Sequence, residues 1–194
     1  MFRILKLCRA NFLHEVFFMD LQGLDKSIRR VPDFPKPGIE FYDITSILTN
    51  PEAFNYCLQK MYELYKDSKI DAIAAVESRG FIFAAPLAHQ LGLPLILIRK
   101  KGKLPGETYS CSYALEYGTA TIEAHKADIK KGQKFLVVDD LIATGGTLAA
   151  SKKLLEMGGA EVTDFFGVIG LPALNYDKVL APAKISTLIN FDGE

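Results

Sequence analysis

Asp139 and Asp140 stand side by side after the apolar run Phe135-Leu-Val-Val138, and the Thr/Gly loop Ala143-Thr-Gly-Gly-Thr147 follows directly after Leu141-Ile142. The four apolar residues read as a buried strand of a parallel sheet. Leu148 to Met157 reads as a helix that stops at Gly158-Gly159. In open α/β sheets ligands bind outside the carboxyl ends of the strands. A Gly-rich turn at that edge bares backbone N–H groups at a helix N-terminus, where the peptide dipoles favour a phosphate. Two carboxylates beside the turn would repel a phosphate, but an ionised carboxylate accepts hydrogen bonds and suits sugar hydroxyls. An ordinary strand end with Thr144 as a helix N-cap uses the same residue types singly. The unbroken order of strand, acid pair and loop reads instead as a cradle for a ribose 5-phosphate.

Competing phosphate motifs are absent. No G-x-x-x-x-G-K-[ST] occurs, which disfavours a P-loop nucleotidase, and no G-x-G-x-x-G supports a dinucleotide fold. Three further constellations accompany the cradle. Glu77-Ser78-Arg79-Gly80 closes another apolar run and can present backbone N–H groups and a guanidinium to an anion. Arg99, Lys100, Lys101 and Lys103 form a basic run, which by itself is a solvated hairpin but beside a phosphate cradle suits a second phosphate group. Tyr113-Ala-Leu-Glu116-Tyr117-Gly118 sets a carboxylate and an aromatic ring on a hairpin arm.

The elements that must position these residues follow from periodicity. Helical character extends from Met19 to about Val31, and the three prolines of Pro32-Asp-Phe-Pro-Lys-Pro-Gly38 then force an extended, turning path. Asn50-Pro51 starts a helix whose apolar face is Phe54, Cys57, Leu58, Met61 and Tyr65. Ile70–Val76 and Leu93–Ile98 read as buried strands around a helix from Phe81 to Leu91, stopped at Gly92. Thr108 to His125 alternates as a β-hairpin. Further strands lie near 163–169 and 185–189. Strands and helices alternate at βαβ spacing, which predicts an α/β fold with a central, mostly parallel sheet flanked by helices.

At 194 residues, with 49% hydrophobic and 24% charged side chains, the chain fits one globular domain. Lys plus Arg and Asp plus Glu number 23 each, so no global basic field suggests nucleic acid. Cys8, Cys57 and Cys111 show no metal-ligand spacing, and their odd number favours a reduced, cytoplasmic setting. No stretch approaches the roughly 20 apolar residues of a membrane span. Residues 1–19 read as an N-terminal extension, with Met19 a plausible alternative start, and 20–194 as the domain, whose first part, about 20–45, forms a hood.

The strand–acid pair–loop segment resembles the phosphoribosyl-pyrophosphate (PRPP) signature of the type I phosphoribosyltransferase family. Pro32-Asp-Phe-Pro-Lys-Pro-Gly-Ile39, Asp43-Ile-Thr45, Glu77-Ser-Arg-Gly-Phe81, Ile98 to Glu107 and Leu115-Glu-Tyr-Gly118 are similar to its adenine phosphoribosyltransferase members. The resemblance runs from about Leu24 to Phe191. It implies the type I fold with an N-terminal hood and a mobile β-hairpin arm. The implied reaction is adenine plus PRPP to AMP and pyrophosphate, a purine-salvage step, with Mg²⁺ carried on PRPP and pyrophosphate and no metal bound directly by side chains. Under it, Ala143, Thr144, Gly145, Gly146 and Thr147 would hold the 5-phosphate, and Asp139 and Asp140 the ribose hydroxyls. Glu77, Ser78 and Arg79 would form a pyrophosphate loop whose Glu77–Ser78 peptide is often cis in such enzymes, with Arg99, Lys100 and Lys103 reaching the same group. A homodimer is implied, Arg99 entering the neighbouring subunit's site. Phe34, the backbone at Glu40, Arg79 and Leu171 would enclose adenine; Glu116 would be the acid/base and Tyr117 part of the closing lid. Relatives commonly carry Arg at position 42 and an apolar residue at 40, where this chain has Tyr42 and Glu40. Transfer to xanthine or guanine, or a PRPP- or purine-sensing regulator without catalysis, are the alternative readings.

Overall fold

The computed structural model describes residues 19–114 and 118–192. The hood begins with α1 (Leu21–Ser27), capped by the Asp20 carboxylate on the Gly23 N–H, and continues as β1 (Arg29–Val31), β2 (Phe41–Asp43) and the short α2 (Thr45–Leu48). The expected helix up to Val31 is thus cut at Ser27. The residue before a proline disfavours the helical region, and 29–31 find an antiparallel partner in 41–43, with Arg30 opposite Tyr42. That pairing joins segments separated by the proline turn, so local periodicity does not reveal it.

α3 (Pro51–Tyr65) starts as expected, the Asn50 side chain accepting from the N–H groups of Glu52 and Ala53. β3 (Ala72–Val76), α4 (Gly80–Leu91), β4 (Leu95–Lys100), the hairpin β5 (Thr108–Ala114) and β6 (Thr119–His125), β7 (Lys134–Ile142), α5 (Gly146–Met157), β8 (Glu161–Gly170), the one-turn α6 (Tyr176–Leu180) and β9 (Lys184–Asn190) complete the domain. Gly92 ends α4 at φ 66°, a left-handed cap that costs glycine nothing.

The main sheet has seven strands in the order β5-β6-β4-β3-β7-β8-β9. β4, β3, β7, β8 and β9 are mutually parallel; the hairpin joins antiparallel, through Arg99 opposite Glu123 and Lys100 opposite Ile122. Alternation along β7 divides the core. Leu136 and Val138 pack on the side of α1–α4 with Met61, Phe83 and Phe166, whereas Phe135 and Val137 face α5 with Leu154, Leu155 and Phe165. The chain enters the sheet at β3, moves outward to β4, then returns to the other side as β7. Strand order therefore reverses between β3 and β7, and the crevice outside their carboxyl ends is where such a sheet admits a ligand.

Candidate active site

The acid pair does not stand beyond β7, as its sequence suggests, but inside it. β8 stays paired with β7 as far as Ile142 opposite Gly170, while pairing with β3 ends at Val138 opposite Ala75. One flank of Asp139 and Asp140 is therefore sheet, and the other faces the switch point. Gly80, the first residue of α4, makes this junction close: a Cβ there would lie 2.7 Å from the Val138 carbonyl oxygen and 3.2 Å from the Asp139 Cα. Only a glycine lets the α4 N-terminus approach β7 this nearly.

A cleft of about 590 Å³ opens at this point. Its walls include Glu77, Ser78 and Arg79 from the exit of β3, Lys100 from β4, Asp139 and Asp140 from β7, and Thr147 from α5. The Glu77–Ser78 peptide is cis, as the resemblance implies. Arg79 sends Nε to Oδ2 of Asp140 at 2.5 Å; the Asp140 side chain is 6% exposed and that of Arg79 48%. Asp139 accepts the Asp140 N–H on Oδ1 at 2.9 Å. Burial first, then the neighbouring charge of Asp140, pushes the Asp139 carboxyl well above the usual carboxylate range. Without ligand, the pair therefore favours a proton on Asp139 and a guanidinium on Asp140.

Glu77 works differently from its two neighbours. Its carboxylate accepts the Lys100 N–H at 2.8 Å and lies 3.4 Å from the Arg99 guanidinium. That backbone bond, ahead of Arg99, lowers its pKa. The Glu77 anion thus fixes the start of the basic segment, leaving Ser78 and Arg79 as the groups this turn can offer an anion. Arg99 also donates to the Lys103 carbonyl at 3.3 Å, so its guanidinium ties both ends of the basic turn.

Beside the cleft, Asp139, Leu141 and the whole run from Ile142 to Leu148 surround a smaller cavity of about 90 Å³, the size of a phosphate group rather than a nucleoside. Gly145 adopts φ 79° and opens the loop directly into α5, whose first N–H groups lack intrahelical partners by geometry. Thr147 lines both cavities.

The remaining residues inferred from sequence are not all gathered here. Phe34 is 51% exposed, its ring edge-on to Phe41 at 5.1 Å. Glu40 lines a separate hollow of about 490 Å³ formed by the hood itself, with Asp33 and Tyr42, and by Asp192. Leu171 packs against the hood-side core and donates its N–H to the Ile142 carbonyl at 2.9 Å. Glu116 and Tyr117 lie outside the described residues, as does the extension up to Phe18.

Two contributions escaped the sequence. Tyr113 lines the cleft and accepts a hydrogen bond from the Thr147 hydroxyl at 3.2 Å. The alternation of β5, with Tyr109, Cys111 and Tyr113 on its more covered face, was the available signal. Arg30 projects over the ring of Phe191, 5.0 Å from its centroid, and Phe191 is stacked on Tyr42 at 4.2 Å with 4° between planes. The same guanidinium pairs with Asp25 at 2.5 Å and lies 3.8 Å from Glu40. Tyr42 is a buried platform beneath the guanidinium that Arg30 supplies from the facing strand.

Comparison with known proteins converges on one group. Residues 43–178 match the profile of the phosphoribosyl transferase domain. An adenine phosphoribosyltransferase of Treponema denticola is 65% identical over 95% of this chain and 97% of its own length. That of Treponema pallidum is 57% identical over 89% and 90%. Among solved structures, adenine phosphoribosyltransferase from Thermoanaerobacter pseudethanolicus superposes with a TM-score of 0.85 at 46% identity, covering 89% of this chain and all of that one. The Giardia lamblia enzyme complexed with 9-deazaadenine gives 0.83 at 33% identity, covering 89% and 98%.

Proposed function

The chain belongs to the phosphoribosyltransferase family, with the type I fold and adenine phosphoribosyltransferases as its relatives, and from that membership we propose that it converts adenine and PRPP to AMP and pyrophosphate in purine salvage. The observation that carries the reading is the paired arrangement at the switch point. The acid pair lies on β7 and a phosphate-sized cradle in the loop that follows it, and Arg79, from the exit of the neighbouring β3, and Lys100, from β4 beyond it, line the same cleft.

In this reading the backbone of Ala143, Gly145 and Gly146 and the hydroxyls of Thr144 and Thr147 hold the 5-phosphate. Asp139 and Asp140 accept the ribose hydroxyls. Binding draws the proton from Asp139, because hydroxyl donors stabilise its charged form. Ser78, Arg79, Lys100 and Lys103 meet the pyrophosphate, and Arg99, held by Glu77, orients the turn or reaches the second subunit of a homodimer. PRPP would carry Mg²⁺ into the site, and the ion would supply positive charge to the leaving pyrophosphate alongside Arg79 and Lys100. Asp139, held toward protonation, and Asp140, occupied by Arg79, suit sugar hydroxyls better than direct metal coordination, which fits an ion held mainly by substrate oxygens and water.

Departure of pyrophosphate leaves positive charge at the anomeric carbon, an oxocarbenium-like transition state of the kind seen in glycoside cleavage. Fixed cations where negative charge develops lower that barrier. Phe34, Leu171 and the backbone at Glu40 enclose adenine, whose N9 attacks the anomeric carbon, and Glu116 manages the proton adenine loses. A cytoplasmic setting agrees with the buried, unpaired thiols of Cys57 and Cys111. The test is pyrophosphate release from Mg²⁺ and PRPP with adenine, guanine or xanthine in turn. AMP from adenine alone is the expected result. Turnover of guanine or xanthine instead would remove the adenine assignment, and no turnover with any base would leave a binding protein.

A further inference from the structure

We infer that Tyr113 is a positioning residue for the phosphate cradle, acting through the hydroxyl of Thr147. Thr147 borders both the large cleft and the small cavity, so its side chain stands between the sugar-facing and phosphate-facing compartments. Its hydroxyl donates to the Tyr113 oxygen at 3.2 Å. These residues belong to different elements, β5 of the hairpin and the first turn of α5. The contact therefore ties the hairpin to the cradle.

The chemistry of the two hydroxyls determines what the contact does. Each has one proton and two acceptor lone pairs. A phosphate only accepts, so a phosphate in the small cavity takes the Thr147 proton away from Tyr113. The phenol then reverses its role and donates its own proton to the Thr147 oxygen. The chain Tyr113 to Thr147 to phosphate has every donor matched to an acceptor, and each bond polarises the next. Tyr113 also fixes the Thr147 rotamer before ligand arrives. Threonine divides between two rotamers in a helix, so this selection is preorganisation that a bare threonine lacks. The consequence is selective: Tyr113 strengthens binding of any ligand carrying the 5-phosphate and leaves pyrophosphate binding unchanged.

The inference rests on the reading of 143–147 as a phosphate cradle, and the test separates the two. Dissociation constants for ribose 5-phosphate and for inorganic pyrophosphate with Mg²⁺ are measured by calorimetry on the full chain. The variants are Tyr113→Phe, Thr147→Val, Thr147→Ser and the pairs of Tyr113→Phe with each Thr147 change, each checked for an unchanged thermal unfolding transition. Tyr113→Phe should weaken ribose 5-phosphate about 3- to 10-fold, the range of one neutral hydrogen bond, with pyrophosphate affinity unchanged. In the Thr147→Val background the same change should have no further effect, whereas in Thr147→Ser, which keeps the hydroxyl, it should return. Ribose 5-phosphate affinity that is intact in Tyr113→Phe but reduced in Thr147→Val overturns the inference and leaves the cradle standing. A Tyr113→Phe loss that persists in the valine background also overturns it. Full affinity in Thr147→Val overturns the cradle reading and the inference together.

Discussion

Arg79 Nε lies 2.5 Å from Asp140 Oδ2, joining the exit of β3 to the middle of the acid pair across 61 residues of sequence. The anion is the covered partner and the cation reaches it from the cleft. Arg79 thus pairs with Asp140 and also lines the cleft where, in the proposed reaction, the leaving anion would sit. Arg79→Ala leaves a covered carboxylate unpaired, a cost of about 1–2 kcal/mol, between that of an exposed and a fully buried pair. The kcat/KM for PRPP should fall at least about tenfold, the value of one charge-assisted hydrogen bond. Chemical denaturation and steady-state kinetics measure the two effects. An Arg79→Ala enzyme with wild-type kcat/KM would remove Arg79 from the site.

Asp139 sets a stability against a binding role. Its folded pKa lies above the ordinary value because burial and Asp140 both oppose its charge. Between the unfolded value, about 3.9, and the raised folded one, the folded state holds a proton that the unfolded chain releases. This group's contribution is therefore fully present below the unfolded pKa and is lost as pH rises through the folded pKa. Asp139→Asn lacks that loss. At neutral pH it should melt higher than the wild type, and the gain should shrink toward zero as pH falls below the folded pKa. The same variant should bind PRPP more weakly. A melting temperature equal to or below the wild type at neutral pH would contradict the buried-charge account.

The hood is held from the side by Arg30, which covers the Tyr42–Phe191 stack and pairs with Asp25. Each cation–π contact is worth roughly 0.5–1 kcal/mol at an exposed site. Arg30→Ala should loosen the hood against the end of β9 and raise the adenine KM several-fold, with the PRPP KM unchanged. Arg30→Lys, which keeps the charge but not the planar face, should recover part of the loss. Equal changes in both Michaelis constants would mean a general loss of structure instead.

Glu116 has the acid/base role in the proposed reaction. Glu116→Gln retains size and hydrogen-bonding reach but takes no proton at neutral pH. Single-turnover AMP formation should slow by about 10²-fold or more, with PRPP affinity little changed. Retention of more than half the wild-type rate would assign the proton to another group.

What the chain's sequence determined alone is whatever depends on neighbours within a few residues. The apolar strand that carries Asp139-Asp140, the Thr/Gly loop opening α5, the Asn50 cap and the Gly92 stop are local in this sense. Backbone conformational preference and side-chain periodicity specify them before any tertiary contact forms. One longer-range feature is also legible: the acid pair, the β3 exit and the basic turn share one sheet edge because strands joined by βαβ crossovers run parallel and end on the same side. Tertiary structure decided everything carried by pairs distant in sequence. The cut of α1 by the Arg30–Tyr42 register, the Arg79–Asp140 bond, the Thr147–Tyr113 bond and the proton favoured on Asp139 are of this kind. Each depends on the distance between separate elements and on how much water remains between them. Neither quantity exists in a linear chain until the sheet has closed.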